Sequence, residues 1–236
     1  ILITDNKIVE VGNFLNSSSA KVIEARGKPV TPGLISPISN LGVVEINALD
    51  VTNDDEPDFF GPGFSVFNAF NPHSTLIPWN RSNGVTSSIS TPGYSSQIFK
   101  GMGSFYLLDG DIDITGNADV AMYSRLGAVG GSRAETIQIM ESMFELALNK
   151  DELELEELLG TTFASSMDMQ LQDIQALSRV VNREIPLVLE VNRAIDILQA
   201  LRLKNDYDLE LVLMSVEEAP LVLDQILASG VSVIID

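Results

Sequence analysis

The chain has 236 residues, with 14 Lys and Arg against 33 Asp and Glu, one His and no Cys, so its formal charge is −19 at pH 7. So few cations cannot form the basic patch that a nucleic-acid partner needs. The lack of Cys excludes a disulfide framework, a zinc ribbon and a thiol nucleophile, and a single His excludes Cys₂His₂ and His₃ metal sites. The hydrophobic content of 45% is typical of a globular protein. The sequence has no apolar run of about 18 residues, so no transmembrane helix and no membrane partner are predicted.

The first 31 residues predict a small β unit. Short apolar segments at 1–4, 7–11 and 21–25 are separated by turn residues, first Asp5 and Asn6 and then a Ser-rich stretch. Each segment has the length and the composition of a short strand.

From Pro32 onward the pattern changes to alternating strands and helices. Seven apolar runs predict strands, at 32–38, 84–90, 103–110, 118–123, 186–191, 209–214 and 231–236. Four amphipathic segments predict helices, at 132–149, 169–182, 194–203 and 219–229. The later apolar runs are continuous, which favours a parallel sheet buried on both faces. The fold class predicted is therefore α/β, a (β/α)₈ TIM-type barrel with one strand missing from this chain.

Several local features have a simple explanation beside a functional one. The acidic loop at 49–63 could bind calcium, but it lacks the spacing of an EF-hand, and a solvated loop is favoured. The acidic run at 151–157 is interpreted as the exposed face of a short helix or turn. His73, the single imidazole, is interpreted as a surface loop residue rather than as a general base. The glycines at 101–103 and 127–132 do not have the spacing of a phosphate-binding loop.

Two segments near the start, KIVEVG (7–12) and KVIEARGKPVTPGLISPISNLG (21–42), resemble the opening segment of the amidohydrolase superfamily, in its imidazolonepropionase-like group. Five further blocks are similar to family blocks in the same order: FNAFNP (67–72), NGVTSSISTPG (83–93), GMGSFYLLDG (101–110), PLVLEVNRAIDILQALRL (186–203) and LELVLMSVEEA (209–219).

This resemblance implies a metal-dependent hydrolase barrel with a small β-sandwich built from both chain ends. Residues 1–31 would then be part of the sandwich, and 32–236 would be barrel strands 1 to 7, with the eighth absent. Because the chain begins at Ile1 and ends on a strand, we expect a longer protein of roughly 400 residues. The missing C-terminal part or another polypeptide would complete the barrel.

The resemblance also implies that the metal-ligand motifs are degenerate. The family's ligand positions fall on Ser36, Ile38 and Asn40 at the first strand, Tyr123 and Ala128 at the fourth, Glu190 and Asn192 at the fifth, and Ser215 at the sixth. The Asp of the eighth strand would follow Asp236. Only Glu190 is an anionic donor, so no zinc or other transition metal is predicted as a cofactor. A magnesium or calcium site built from oxygen ligands is a weaker alternative.

The remaining pocket positions leave several interpretations open. Tyr123 and Glu190 could hydrogen-bond to each other or to a small ligand, or they could fill the space of the metal site. Arg193 and Asp196 match a family pair and could bind a ligand, but a helix cap and a local ion pair are favoured. Ser36, Ser39 and Ser215 lack the G-x-S-x-G motif of a serine hydrolase.

The function predicted by resemblance is that of a non-catalytic amidohydrolase homologue. It would serve as a partner or regulatory subunit of an active amidohydrolase, or as a binder of small amide-like ligands. The alternative is an active metal-dependent hydrolase of C–N bonds (amide, cyclic amide or dipeptide-like) whose ligands lie elsewhere, and a purely structural role is a third possibility. A chain without Cys is compatible with the cytoplasm and with the periplasm.

Overall fold

The computed structural model describes residues 1–5, 7–13, 15, 19–46, 48–93, 97–127, 131–151 and 155–235. The chain divides into two compact units, Ile1–Pro32 and Gly33–Asp236. None of the described helices is long and apolar enough to cross a membrane.

The first unit contains a two-stranded antiparallel sheet of β1 (Leu2–Thr4) and β2 (Lys7–Glu10). The predicted third strand at 21–25 is wrong, because these residues form no regular element. Val22 and Ile23 there are 69% and 83% exposed. An apolar segment becomes a strand only when a neighbour satisfies its N–H and C=O groups, and β1 and β2 form a sheet of only two strands in the described part of this unit.

The second unit is built on a curled seven-stranded sheet in which the strands follow one another in chain order. Its strands are β3 (Leu34–Ser39), β4 (Val85–Ser90), β5 (Phe99–Leu107), β6 (Gly116–Arg125), β7 (Leu187–Val191), β8 (Leu211–Ser215) and β9 (Ser232–Ile234). Its helices are α1 (Leu76–Ser82), α2 (Arg133–Leu148), α3 (Leu155–Leu159), α4 (Thr162–Ser166), α5 (Leu171–Val181), α6 (Ala194–Asp206) and α7 (Leu223–Ser229). The α/β class with a partial barrel-like sheet agrees with the sequence prediction.

The predicted parallel sheet is only partly correct, because β5 runs antiparallel to both β4 and β6. The other four pairings are parallel. A parallel connection needs a crossover of roughly a dozen residues or more. Only eight residues join β5 to β6, at 108–115, and only eight join β4 to β5, at 91–98. The short connections therefore require β5 to reverse.

Helices α2 and α5 cover the outer face of the sheet. Phe99 and Met122 from the sheet meet Met140 and Phe144 of α2, and all four side chains are at most 1% exposed. The Phe99 and Phe144 rings pack edge to face, with centroids 5.8 Å apart. Burying a Phe or Met side chain contributes about 1.5–3 kcal/mol, so this layer fixes α2 on the sheet.

The inner face of the curled sheet has its own smaller apolar cluster. Its members come from six strands: Ile38, Ile89, Ala121, Tyr123, Val188, Val212, Met214 and Ile234. This cluster forms the floor beneath the edge at which most of the strands end.

Candidate functional site

The candidate site lies at the edge of the sheet where the parallel strands end, which is where barrel enzymes place their active sites. Because β5 runs in the opposite direction, this edge also receives the first residues of β5. The register places Phe99 opposite Ser124 near the end of β6, and Arg125 opposite Glu190 in β7. Lys100, the second residue of β5, therefore lies near the level of Glu190 with β6 between them, and its side chain reaches Glu190 across β6.

Lys100 and Glu190 form the central ion pair of this edge. The distance from Lys100 Nζ to Glu190 Oε2 is 2.9 Å, and the two side chains are only 16% and 29% exposed. Partial burial reduces solvent screening, so the pair is stronger than a surface salt bridge. The Glu190 carboxylate, the only anionic group at the mapped ligand positions, already has a cation bound to it.

The backbone next to Lys100 contains a β-bulge. The register between β5 and β6 shifts between Phe99 and Gly101, and Gly101 has a φ of +120°. A Cβ atom at Gly101 would lie 2.7 Å from the carbonyl oxygen of Phe64. Only glycine fits this backbone and this contact, so the bulge that accompanies Lys100 is encoded locally.

Tyr123 closes the inner face below the ion pair. Its hydroxyl donates a hydrogen bond of 3.0 Å to the backbone carbonyl of Pro37, and the residue is 3% exposed. Burial raises the pKa of the Tyr123 phenol above its ordinary value. Of the alternatives for this pair, a hydrogen bond between Tyr123 and Glu190 is not the one observed, because the Tyr123 hydroxyl donates to Pro37 and Glu190 binds Lys100. Tyr123 connects β6 to the edge strand β3.

The residues at the end of the first strand are engaged in local turns and in contacts with neighbouring strands. The Ser36 hydroxyl donates to the carbonyl of Ile38 at 2.9 Å, and the Ser39 hydroxyl donates to the carbonyl of Ile89 at 3.2 Å. The carbonyl of Asn40 accepts the backbone N–H groups of the next turn. Ile38 packs into the inner cluster. These contacts assign a structural role to Ser36, Ile38 and Ser39.

The ends of β7 and β8 carry an unpaired acceptor and a strained backbone. The side-chain oxygen of Asn192 is buried and has no hydrogen-bond partner among the described residues. Ser215 and Val216 have φ values of 71° and 52°, in the left-handed region that side chains other than glycine rarely adopt. Such conformations cost about 1–3 kcal/mol each and cluster at functional sites.

Arg193 and Asp196 do not form the expected local ion pair. Arg193 is the exposed N-cap residue of α6, and the N–H of Ala194 donates to Glu218 Oε2 at 2.8 Å. Asp196 is 4% exposed and pairs with Arg133 Nε of α2 at 2.9 Å. Asp196 therefore fastens α6 to α2, which corrects the prediction of a pairing within one helix turn.

The donor set at this edge does not fit a transition-metal centre. No group of three or more His, Cys, Asp or Glu side chains that could hold a metal occurs within the described ranges. Glu190 is bound to an ammonium, Ile38 has no lone pair, and the Tyr123 hydroxyl is already bonded to Pro37. Ala128 and Asp236 lie outside the described residues.

The other sequence candidates lie outside the strands of the sheet. His73 is exposed on a loop, and its backbone N–H donates to Asn71 Oδ1. In the acidic loop, Asp55 is 7% exposed and burial raises the pKa of its carboxyl. In the acidic run at 151–157, residues 152–154 lie outside the described residues and Leu155 begins α3.

Sequence reasoning did not identify Lys100. The predicted strand at 103–110 began four residues too late and was expected to run parallel. The signal that could have found it was the short 108–115 connection, which requires a hairpin and hence a reversed strand.

Comparison with solved structures gives one relevant likeness. The chain is similar to the crystal structure of an amidohydrolase from Thermotoga maritima MSB8, with a TM-score of 0.82 and 21% sequence identity. The match covers 100% of this chain and 64% of that structure, so the chain spans less than two thirds of its length. No family model and no curated protein matches the chain. The likeness shows an amidohydrolase-like fold.

Proposed function

We propose that this chain belongs to a non-catalytic protein with an amidohydrolase-like fold, which binds a small amide at the strand-end edge without hydrolysing it. The observation that carries this proposal is the Lys100–Glu190 pair, whose Nζ to Oε2 distance is 2.9 Å. Glu190 is the one anionic donor at the ligand positions that the resemblance maps, in the place of a family His, and an ammonium binds it where a hydrolase would need a metal-bound water.

The polar groups at this edge suit an amide. A lysine ammonium has three N–H donors, and Glu190 accepts one of them. Two residues after Glu190, the buried Asn192 oxygen lacks a donor. An amide offers a carbonyl oxygen to Lys100 and an N–H group to Asn192, and pairing a buried acceptor removes a penalty of about 1–3 kcal/mol. A protein of this kind would act as a ligand-binding or regulatory subunit of an active amidohydrolase.

The first test is the metal content of the protein, purified in its natural length after growth with zinc and manganese and then dialysed. We expect far less than one equivalent of metal by elemental mass spectrometry. One or two equivalents that survive dialysis and are lost in Glu190→Gln would contradict the proposal. They would favour the alternative, an active metal-dependent hydrolase of C–N bonds.

The second test is calorimetric binding of N-acetyl amino acid amides. We expect Lys100→Met to weaken binding by about 10-fold or more, since a charge-assisted hydrogen bond contributes about 1.5–3 kcal/mol. Lys28→Met, at an exposed position in the first unit, is the matched control and should leave binding unchanged. Hydrolysis of these compounds that a chelator abolishes, or equal binding by the two variants, would refute the proposal.

A further inference from the structure

A second candidate site is a cavity of about 500 Å³ in the outer layer of the second unit. It lies between the loop at 58–62, the start of β5, the face of α2 from Glu135 to Met143 and the segment at 166–173. Its described lining includes neither Lys100 nor Glu190, so it is distinct from the strand-end edge. Its volume falls within the range of small-molecule sites, roughly 300–1,000 Å³.

The floor of this cavity is apolar and rich in sulfur. Phe99, Met143 and Met169 line it and are each less than 9% exposed. Ile139 continues the same face of α2, one turn before Met143. Thioether side chains are polarizable and adapt to irregular shapes, so this floor suits the hydrocarbon body of a ligand.

The mouth of the cavity is acidic and aromatic. Asp58, Glu135 and Asp168 are exposed and line it, and the described lining contains no Lys, Arg or His. Phe59 also lines the mouth and is 83% exposed. A cation is attracted both by the face of a phenyl ring and by carboxylates. This mouth therefore favours a positively charged ligand over a neutral apolar one.

The wall that carries Phe59 is fixed in place before any ligand binds. Asp173, at 3% exposure, accepts the backbone N–H groups of Gly61 and Gly63 at 3.2 and 2.8 Å. A Cβ atom at Gly63 would lie 2.7 Å from the backbone of Gln172, so the loop approaches α5 as closely as glycine permits. A prearranged wall reduces the ordering entropy that binding would otherwise cost.

We propose that this cavity binds a small organic cation, an alkyl or aryl ammonium whose hydrocarbon body lies on the Phe99–Met143 floor and whose charge lies among Asp58, Phe59 and Glu135. The net charge of −19 attracts such cations and repels anions of the same shape. Cation binding in this cavity is independent of amide binding at the strand-end edge. A negative result for the cavity would therefore not contradict the proposed amide site.

The test uses three probes of nearly equal shape: 4-phenylbutylammonium, 4-phenylbutanol and 4-phenylbutyrate. We expect calorimetry to show saturable 1:1 binding of the ammonium. The alcohol should bind about 10-fold more weakly, and the carboxylate should show no binding. Binding of the alcohol as tight as that of the ammonium, or no saturable binding of the ammonium, would overturn the proposal.

Two variants locate the binding. Asp58→Asn/Glu135→Gln/Asp168→Asn should reduce the affinity for the ammonium to that for the alcohol. Phe59→Ala should weaken it by about 3- to 10-fold. The matched control, Asp111→Asn/Asp113→Asn/Glu217→Gln, removes three exposed charges that do not line the cavity and should change affinity less than about 2-fold. Equal losses in the control, or unchanged affinity in the first two variants, would overturn the proposal.

Discussion

Tyr123→Phe is the most informative single change, because it removes one hydroxyl that joins β6 to the edge strand β3. The lost hydrogen bond to the Pro37 carbonyl is worth about 0.5–1.5 kcal/mol net. Pro37 belongs to an exposed part of β3, so we expect its carbonyl to bind water after the change and to carry no full desolvation penalty. We therefore expect the variant to be less stable by about 1 kcal/mol at pH 7.

The same change reverses its sign at high pH. Burial raises the pKa of Tyr123 in the folded state, whereas in the unfolded chain it stays near about 10. The wild type thus loses stability as pH rises above about 10, by about 1.4 kcal/mol per pH unit, and the phenylalanine variant lacks this loss. The two stabilities should cross near about pH 11.

Urea denaturation followed by circular dichroism at pH 7, 10 and 11.5 measures this difference directly. Tyr106→Phe is the comparison variant, since burial raises the pKa of Tyr106 to about 12 and its hydroxyl also donates to a backbone carbonyl, that of Phe67. The Tyr106 difference should also change sign above about pH 10 and level off near about pH 12. A Tyr123→Phe penalty that is the same at pH 7 and pH 11.5 would refute the placement of this phenol in the inner face.

Three further changes test other parts of the second unit. Asp55→Asn should raise the free energy of unfolding at pH 7, because burial raises the pKa of Asp55 and its charged form destabilises the fold. Below about pH 4 the carboxyl is neutral and this gain in stability should vanish. A gain that persists below about pH 4 would contradict the reasoning. Asp173→Ala removes the acceptor of the Gly61 and Gly63 N–H groups. It should lower the free energy of unfolding, measured by urea denaturation, by about 2–4 kcal/mol and should speed proteolysis of the loop at 56–63. An unchanged rate of cleavage would argue against the contact. Phe144→Ala should lower the free energy of unfolding by about 3–5 kcal/mol in the same assay, because the residue is fully buried against Phe99, and a loss below about 1 kcal/mol would show that α2 does not pack there.

Helices α2, α5, α6 and α7 and most strands of the second unit were accessible to sequence reasoning because their signals are local, whereas the short α1 and α4 were not predicted. The spacing of Met140 and Phe144 predicts one buried face of α2, and the apolar run at 186–191 predicts β7 regardless of its neighbours. The strand predicted at 21–25 failed for the complementary reason. Its composition is that of a strand, but composition does not supply a pairing partner.

The candidate site was harder to predict because its contacts join distant parts of the chain. Glu190 was identified from the resemblance, but its partner Lys100 is 90 residues away. Arg133 and Asp196 are 63 residues apart, and nearby Arg193 was the more obvious partner in the sequence. Such pairs depend on strand direction and helix packing, which local patterns do not determine.

The reversal of β5 makes the Lys100–Glu190 pair an indicator of strand register. Successive residues of a strand face opposite sides of the sheet, so a slip of one residue would turn Lys100 towards the apolar layer under α2. An ammonium there would be buried without a counterion, which is far less favourable than its present position. Alternative alignments of the β5–β6 hairpin are therefore penalised by charge as well as by packing. The 2.9 Å contact therefore opposes a one-residue slip, which would assign both faces of β5 wrongly.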